Sequence, residues 1–417
     1  MEEQIEYPKI RPISIFPIEL SDGKYICLQD PNRYLENPVV ISPETFSVIQ
    51  FFDGRHSFPD IQEAYLRQYG VLLFTEQIQH ITEQLDQHLL LESQAFFEHL
   101  GRLRAEFARL AVRPPSHQGA AYAEDQAELT RQITNYFISP SGPGQLPDAR
   151  HAESAGQRSA IKAILAPHID LAAGGPTFAW AYHALAASDA DLFIILGTSH
   201  VEMQNFFALT KKSFETPFGR VETDQPFVAA LAAQLSYNPF EDELIHKNEH
   251  SIEFQVVFLQ YVYGAKPIKI APILCGGLMH EAIVLNQPLA QTPQLEESII
   301  GLQRVLQNHS KACVIASVDF SHIGLRYGDQ AAPTATTLSR VEQVDRSLLT
   351  ALANVAPEEF VAQLQHNRNA TQVCGIAPMY IMLRLLKGAK GKLLHYDRTE
   401  TGPGSIVTFA SMVWEEK

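Results

Sequence analysis

The chain has 417 residues, 46% of them apolar, with 32 basic against 47 acidic side chains and a net charge of −15. That length suits two domains of about 100–200 residues each, with enough apolar material for a sizeable core. The acidic balance argues against a nucleic-acid or anionic-membrane surface. No apolar run approaches the roughly 18 residues of a membrane span, and MEEQIEYPKIRP lacks a signal peptide's basic-then-apolar order, so a cytoplasmic location is expected.

Residues 10–95 read as a small unit. KYICLQDP and PVVISP are short β-rich runs bounded by turn residues. SPETFSVIQFFDG offers Ser42 as a helix start, an apolar face at Phe46, Ile49 and Phe52, and Gly54 as a stop. SFPDIQEAYLRQYG repeats the pattern between Ser57 and Gly70, and TEQIQHITEQLDQHLLLES places Ile78, Ile81, Leu85 and Leu89 on one helical face. Strands followed by three helices predict a winged-helix-like α+β domain over 1–95. This segment resembles PqqD-like peptide-binding domains, which implies a peptide held as an added strand. It has no basic recognition helix of the kind DNA binding needs.

AFFEHLGRLRAEFARLAV predicts a helical linker over 96–113, and the Pro-rich RPPSHQGAAYAED marks a domain boundary near residue 113. A polar, Gly/Pro-rich loop follows at 139–159. From residue 160 onward β-rich runs alternate with helical patterns, which predicts an α/β fold for 114–417.

Three of those runs end in chemistry-bearing residues. IKAILA is followed by His168, DLFIILGTS by His200, and ACVIASVDFS carries Asp319 and is followed by His322. In a parallel α/β sheet, ligand sites lie beyond the carboxyl ends of the strands. A strand-end histidine taken alone is usually a satisfied turn residue; three of them on one sheet read as a site. Imidazoles with acidic or thiolate neighbours are transition-metal ligands. NEHSIEFQ adds Glu249, His250 and Glu253 at a helix start, where the plain alternative is capping. ATQVCGIAPMY sets Cys374 before a helix, whose positive end favours a thiolate. Cys27, Cys275 and Cys313 read as buried thiols, since no CxxC spacing occurs. Phosphate-loop, GxSxG and zincin motifs are absent.

Taken in order, APHIDLAAGG, IILGTSH, NEHSIEFQVVFLQ, VDFSHIG and TQVCGIAPM resemble the Memo family, called AmmeMemoRadiSam system protein B in prokaryotes. PSHQGAAYAED is similar to that family's opening motif, so the resemblance runs from about 113 to 417. It implies a fold like the class III extradiol dioxygenases, which open aromatic rings with non-haem iron. It also implies His168, His200 and Cys374 as metal ligands, with Asp319 and His322, and less directly His250, as catalytic groups in the same pocket. Asp319 is then expected to set the His322 tautomer.

Cys374 stands where the dioxygenases have a carboxylate, which sets ring cleavage in question; a thiolate suits iron, copper or zinc, and iron or copper is the expected cofactor, with zinc less favoured. PHIDL replaces the family's frequent PHAGY, and Asp170 is either an extra ligand or partner of one, or the cap of the following turn. Two main functions follow: a metal-dependent, dioxygenase-like redox enzyme, or an adaptor that binds a peptide through its first domain and a metal or ligand in its second. A zinc hydrolase using Glu249 or Asp319 is a third reading. The family name implies an AMMECR-type protein and a radical SAM enzyme as partners.

Overall fold

The structure, a computed structural model, describes residues 5–35, 37–147 and 161–416. Most of the expected loop at 139–159 therefore lies outside the described residues. Contacts divide the chain into two units, Met1–Arg109 and Leu110–Lys417.

The first unit is a three-stranded antiparallel sheet, β1 (Ser14–Leu20), β2 (Gly23–Gln29) and β3 (Val39–Ile41), with four helices. Strand β1 is an addition to the two strands expected. Helix α1 (Pro43–Ile49) starts where Ser42 accepts from the Thr45 N–H, but it ends at Gln50 rather than at Gly54. Phe51 and Phe52 instead turn back on Val48 and Ile49, burying Phe52 in the core. Helix α2 (Phe58–Tyr69) begins with a reciprocal Ser57–Asp60 capping box and stops at Gly70, whose φ of 69° suits glycine. Helix α3 (Thr75–Gln87) completes the core with Ile78 and Leu85. Leu89 lies beyond it at φ 55°. The helix expected as a linker is α4 (Gln94–Arg109), which packs within this unit: Arg11 lies 4.1 Å over the Phe96 ring.

The second unit is built on an 11-stranded mixed sheet. Its centre is four parallel strands in the order β5 (Ile161–Ala166), β11 (Ala312–Ser317), β6 (Leu192–Thr198), β10 (Lys269–Cys275). Antiparallel β14 (Ser405–Glu415) flanks β5 and carries β12 (His322–Gly324) and β13 (Lys390–Glu400). The central strands are buried on both faces, so they read as continuous apolar runs. Leu192, Ile194 and Leu196 point into one core while Phe193 and Ile195 point into the other. Among the covering helices are α6 (Leu171–Leu185) and α8 (His250–Tyr263) on one face, and α13 (Ile376–Leu385) on the other.

Two details of this sheet place the site. Ser317 of β11 is in register with Ala166 of β5 and with Gly197 of β6, so three carboxyl ends stand side by side. A Cβ on Gly197 would lie 2.7 Å from Ile252 and 2.8 Å from Ser251 Oγ, so only glycine lets the start of α8 approach β6 this closely. Among the described residues, no helix is long and apolar enough to cross a membrane.

Candidate metal centre

His168, two residues past the end of β5, is 2% exposed. Its Nδ1 lies 3.0 Å from the Ser317 carbonyl oxygen. A carbonyl only accepts, so Nδ1 carries the proton and Nε2 keeps a lone pair. His200, following β6, places Nδ1 3.0 Å from Glu249 Oε1, and its backbone N–H donates to Glu249 Oε2 at 3.0 Å. His250, the first residue of α8, holds Nδ1 3.3 Å from the same Glu249 Oε1. His168 and His200 are thus tethered through Nδ1 to an oxygen acceptor, leaving Nε2 for a ligand, while His250 only approaches the same carboxylate. Their centroids are 4.8 Å (His168–His200), 4.5 Å (His200–His250) and 5.5 Å (His168–His250) apart.

One nitrogen from each of these imidazoles lies within 4.8 Å of the others. Ligands bound about 2.0–2.1 Å from one ion are about 3–3.4 Å apart in octahedral or tetrahedral geometry, so closure takes ring shifts of about an ångström. The residues fit a transition-metal ion. Burial, helped by the neighbouring imidazoles, holds the His168 pKa well below the ordinary histidine value. Burial likewise puts His250 at about 3 against the pull of Glu249. Both are therefore neutral near pH 7, the form that ligates. Burial also lowers His200, but the Glu249 carboxylate outweighs it and the net direction is up. The His200 side chain is 38% exposed, which leaves the centre open to solvent on that side.

Cys374 stands beside this trio and outside it. Its Sγ is 3.3 Å from His168 Nε2 and 3.6 Å from the Asp319 carbonyl. The approach depends on Gly375, where a Cβ would fall 2.3 Å from Val318 Cβ just past β11. Asn369 pins the turn by bonding both the N–H and the C=O of Val373. The thiolate expected from the helix start is reversed in the free protein: burial first, then the Asp319 carboxylate, push the thiol pKa up. A bound cation is what would ionise it. In metal-free protein at pH 7.4, Cys374 should therefore alkylate with iodoacetamide at least about tenfold more slowly than free cysteine. Peptide mass spectrometry over time reads this directly, and modification at the free-thiol rate would refute it.

Asp319, two residues past β11, is 1% exposed. Its Oδ1 accepts from the His168 N–H at 3.0 Å, and its Oδ2 lies 3.6 Å from His168 Nε2. It does not orient His322 as expected. The His322 Nδ1 faces the Phe320 carbonyl at 3.0 Å, because β12 turns that ring toward its own backbone and the edge of Tyr327. Burial raises Asp319 to about 7, against its bonds from the His168 and Ile169 N–H groups, and lowers His322 to about 4. Asp319, not His322, is thus the group poised to exchange a proton near neutrality. Asp170 is exposed and accepts from the Ala172 N–H at 2.8 Å, so it caps α6.

Sequence reasoning missed the layer behind His250. Arg113, wholly buried, donates to Glu253, to Ser116 Oγ at 2.8 Å, to the His246 carbonyl at 2.8 Å and to the Glu249 carbonyl at 2.9 Å. Glu253 also accepts from the Tyr122 hydroxyl and the His117 N–H, and the His117 ring lies 5.6 Å from that of His250. The segment RPPSHQGAAY, read as a boundary, is also a wall of the site. A cavity of about 860 Å³ at the opposite end of the sheet, beside Leu192, Glu222 and Lys269, brings together no comparable ligand set.

Comparison with known proteins agrees with this architecture. Residues 113–413 match the family described as Memo-like protein. A MEMO1 family protein of Aquifex aeolicus is 28% identical over 411 residues, covering 98% of this chain and 99% of that one. One from Methanopyrus kandleri is 29% identical over 72% of this chain and 98% of its own length. The memo-1 homolog of Caenorhabditis elegans is 27% identical over 72% and 82%. With its strand-end histidines and five ordered motifs inside the matched span, this chain belongs to the Memo-like family.

Proposed function

We propose that the protein is a metal-binding redox protein of the Memo-like family, holding one iron or copper ion through His168, His200 and His250, with Cys374 reaching it from the His168 side. The observation that carries the reading is the trio itself: three imidazoles converge, and His168 and His200 are tethered at Nδ1, which leaves Nε2 as the nitrogen that can ligate. The Cys374 Sγ separation of 3.3 Å from His168 Nε2 is also compatible with two ligands on one ion. Imidazoles with a thiol suit iron, copper or zinc, and the solvent-open face suits chemistry better than a closed structural zinc site.

A bound ion supplies Lewis acidity or one-electron transfer to a substrate oxygen. The protein's part is to keep His168 and His250 neutral, to orient the rings, and to hold a proton at Asp319 beside His168 Nε2. Glu249 is committed to His200 and the Ser251 N–H, which disfavours it as a hydrolytic base. The test is elemental analysis with electron paramagnetic resonance on protein isolated without oxygen. About one iron or copper per chain with an accessible coordination position is expected. A stoichiometric, inaccessible zinc would overturn the redox reading.

A second reading has its own support. Strand β1 pairs only with β2 among the described residues, so one sheet edge is open. It bears Ile15, Phe16 and Leu20, each about 40–50% exposed. An extended peptide added there would make the first unit an adaptor, delivering a substrate or an AMMECR-type or radical SAM partner. Pull-down with the full chain and with a Phe16→Lys variant tests it. Loss of a partner in the variant supports the adaptor, and an unchanged partner set removes β1 from it.

A further inference from the structure

We propose that Glu249 is the positioning residue of the centre, a single buried carboxylate that fixes the His200 imidazole while His168 is fixed independently. The inference rests on the metal reading above and adds how that site is held in register.

Glu249 is 5% exposed and both of its oxygens are committed. Oε1 faces His200 Nδ1 at 3.0 Å, His250 Nδ1 at 3.3 Å and the Ser251 N–H at 2.9 Å, and Oε2 accepts from the His200 N–H at 3.0 Å. The His200 Nδ1 and the backbone N–H groups of His200 and Ser251 all donate, and only a carboxylate offers acceptors at both ends. The backbone of Glu249 is fixed in turn, because Arg113 holds its carbonyl at 2.9 Å. His168 relies on none of this: its Nδ1 is anchored on the Ser317 carbonyl.

A carboxylate behind an imidazole fixes the tautomer and raises the ring's basicity, and removing such partners commonly costs about 10–100-fold in metal affinity. Here Glu249 plays that part for His200. Glutamine at 249 would turn an NH₂ group toward one of the committed donors in either orientation. Aspartate keeps a helix cap but falls one methylene short of the rings.

The test titrates Cu(II) into metal-free full-length protein, wild type, Glu249→Gln and Glu249→Asp, with thermal melts as a check on folding. When Cu(II) binds Nε2, pulsed electron paramagnetic resonance detects the remote nitrogen, here Nδ1, which is the atom Glu249 faces. Glu249→Gln should weaken Kd by about 10–100-fold and change the remote-nitrogen coupling of the His200 imidazole while that of His168 stays as in wild type. Glu249→Asp should weaken binding in the same direction. Cu(II) bound by either folded variant with wild-type Kd and unchanged couplings would overturn the positioning role. Wild-type protein that takes up no Cu(II) would overturn the metal reading itself. If the glutamine variant fails to fold, the aspartate variant decides.

Discussion

His168→Ala should abolish metal retention while leaving a folded protein. The ring supplies one of three converging nitrogens and is the neighbour of Cys374. Losing it removes a direct ligand, so affinity should fall by more than the roughly 100-fold that marks the upper range for outer partners. The fold should tolerate the change. The His168 N–H still bonds Asp319, and the Ser317 carbonyl that loses the ring keeps a donor in Thr198 Oγ1 at 3.1 Å. A stability loss of about 1–3 kcal/mol is expected, from a cavity and one broken hydrogen bond. Metal analysis and a denaturant melt on the same preparation check both halves. Full metal occupancy in a folded variant would remove His168 as a ligand and with it the site as described.

That site was partly legible because α/β sheets collect function at the carboxyl ends of their strands. IKAILA, DLFIILGTS and ACVIASVDFS were readable as strands, and His168 and His200 meet, with Asp319 beside His168, because β11 lies between β5 and β6, whereas His322 turns to the Phe320 carbonyl. Nothing local encodes that strand order; it follows from how helices cover both faces. His250 was harder to place, since a histidine at a helix start is as readily a cap neighbour as a ligand. Its role emerges only where Gly197 lets α8 close on β6. Cys374 and Asp319 show a different limit. Sequence proximity to a helix start suggested a thiolate, and proximity to His322 suggested a pair, but burial dominates the first and the turn into β12 redirects the second. In the first unit, caps at Ser42, Ser57 and Gly70 were readable because capping is local chemistry. Arg113 was not, because its partners on His246, Glu249 and Glu253 are more than 130 positions away and its Pro neighbours look like a linker. Glu253 did leave a trace: an acid inside the apolar run IEFQVVFL requires a buried partner.

Arg113→Ala should be the most destabilising single change in this layer, by about 3–5 kcal/mol, because it strands a buried carboxylate. Arg113 and Glu253 are both wholly inaccessible in their side chains. Burial alone would raise the Glu253 pKa, yet the Arg113 guanidinium, with His117 and Tyr122, holds it well below the ordinary 4.5. A carboxylate with a depressed folded pKa contributes stability that is complete above its unfolded value. That contribution drains away as pH falls below about 4.5. In Arg113→Ala the depressing charge is gone, so the acid-side loss of stability should be shallower while stability at neutral pH is lower throughout. Arg113→Met with Glu253→Gln should cost less than the two single changes summed, since neither leaves an unpaired charge in the other's presence. Urea melts from pH 3 to 8 on wild type, Arg113→Ala, the two single changes and the double variant measure all of this. An Arg113→Ala variant within about 1 kcal/mol of wild type would mean that water already reaches Glu253. Glu253 would then not anchor the wall behind His250.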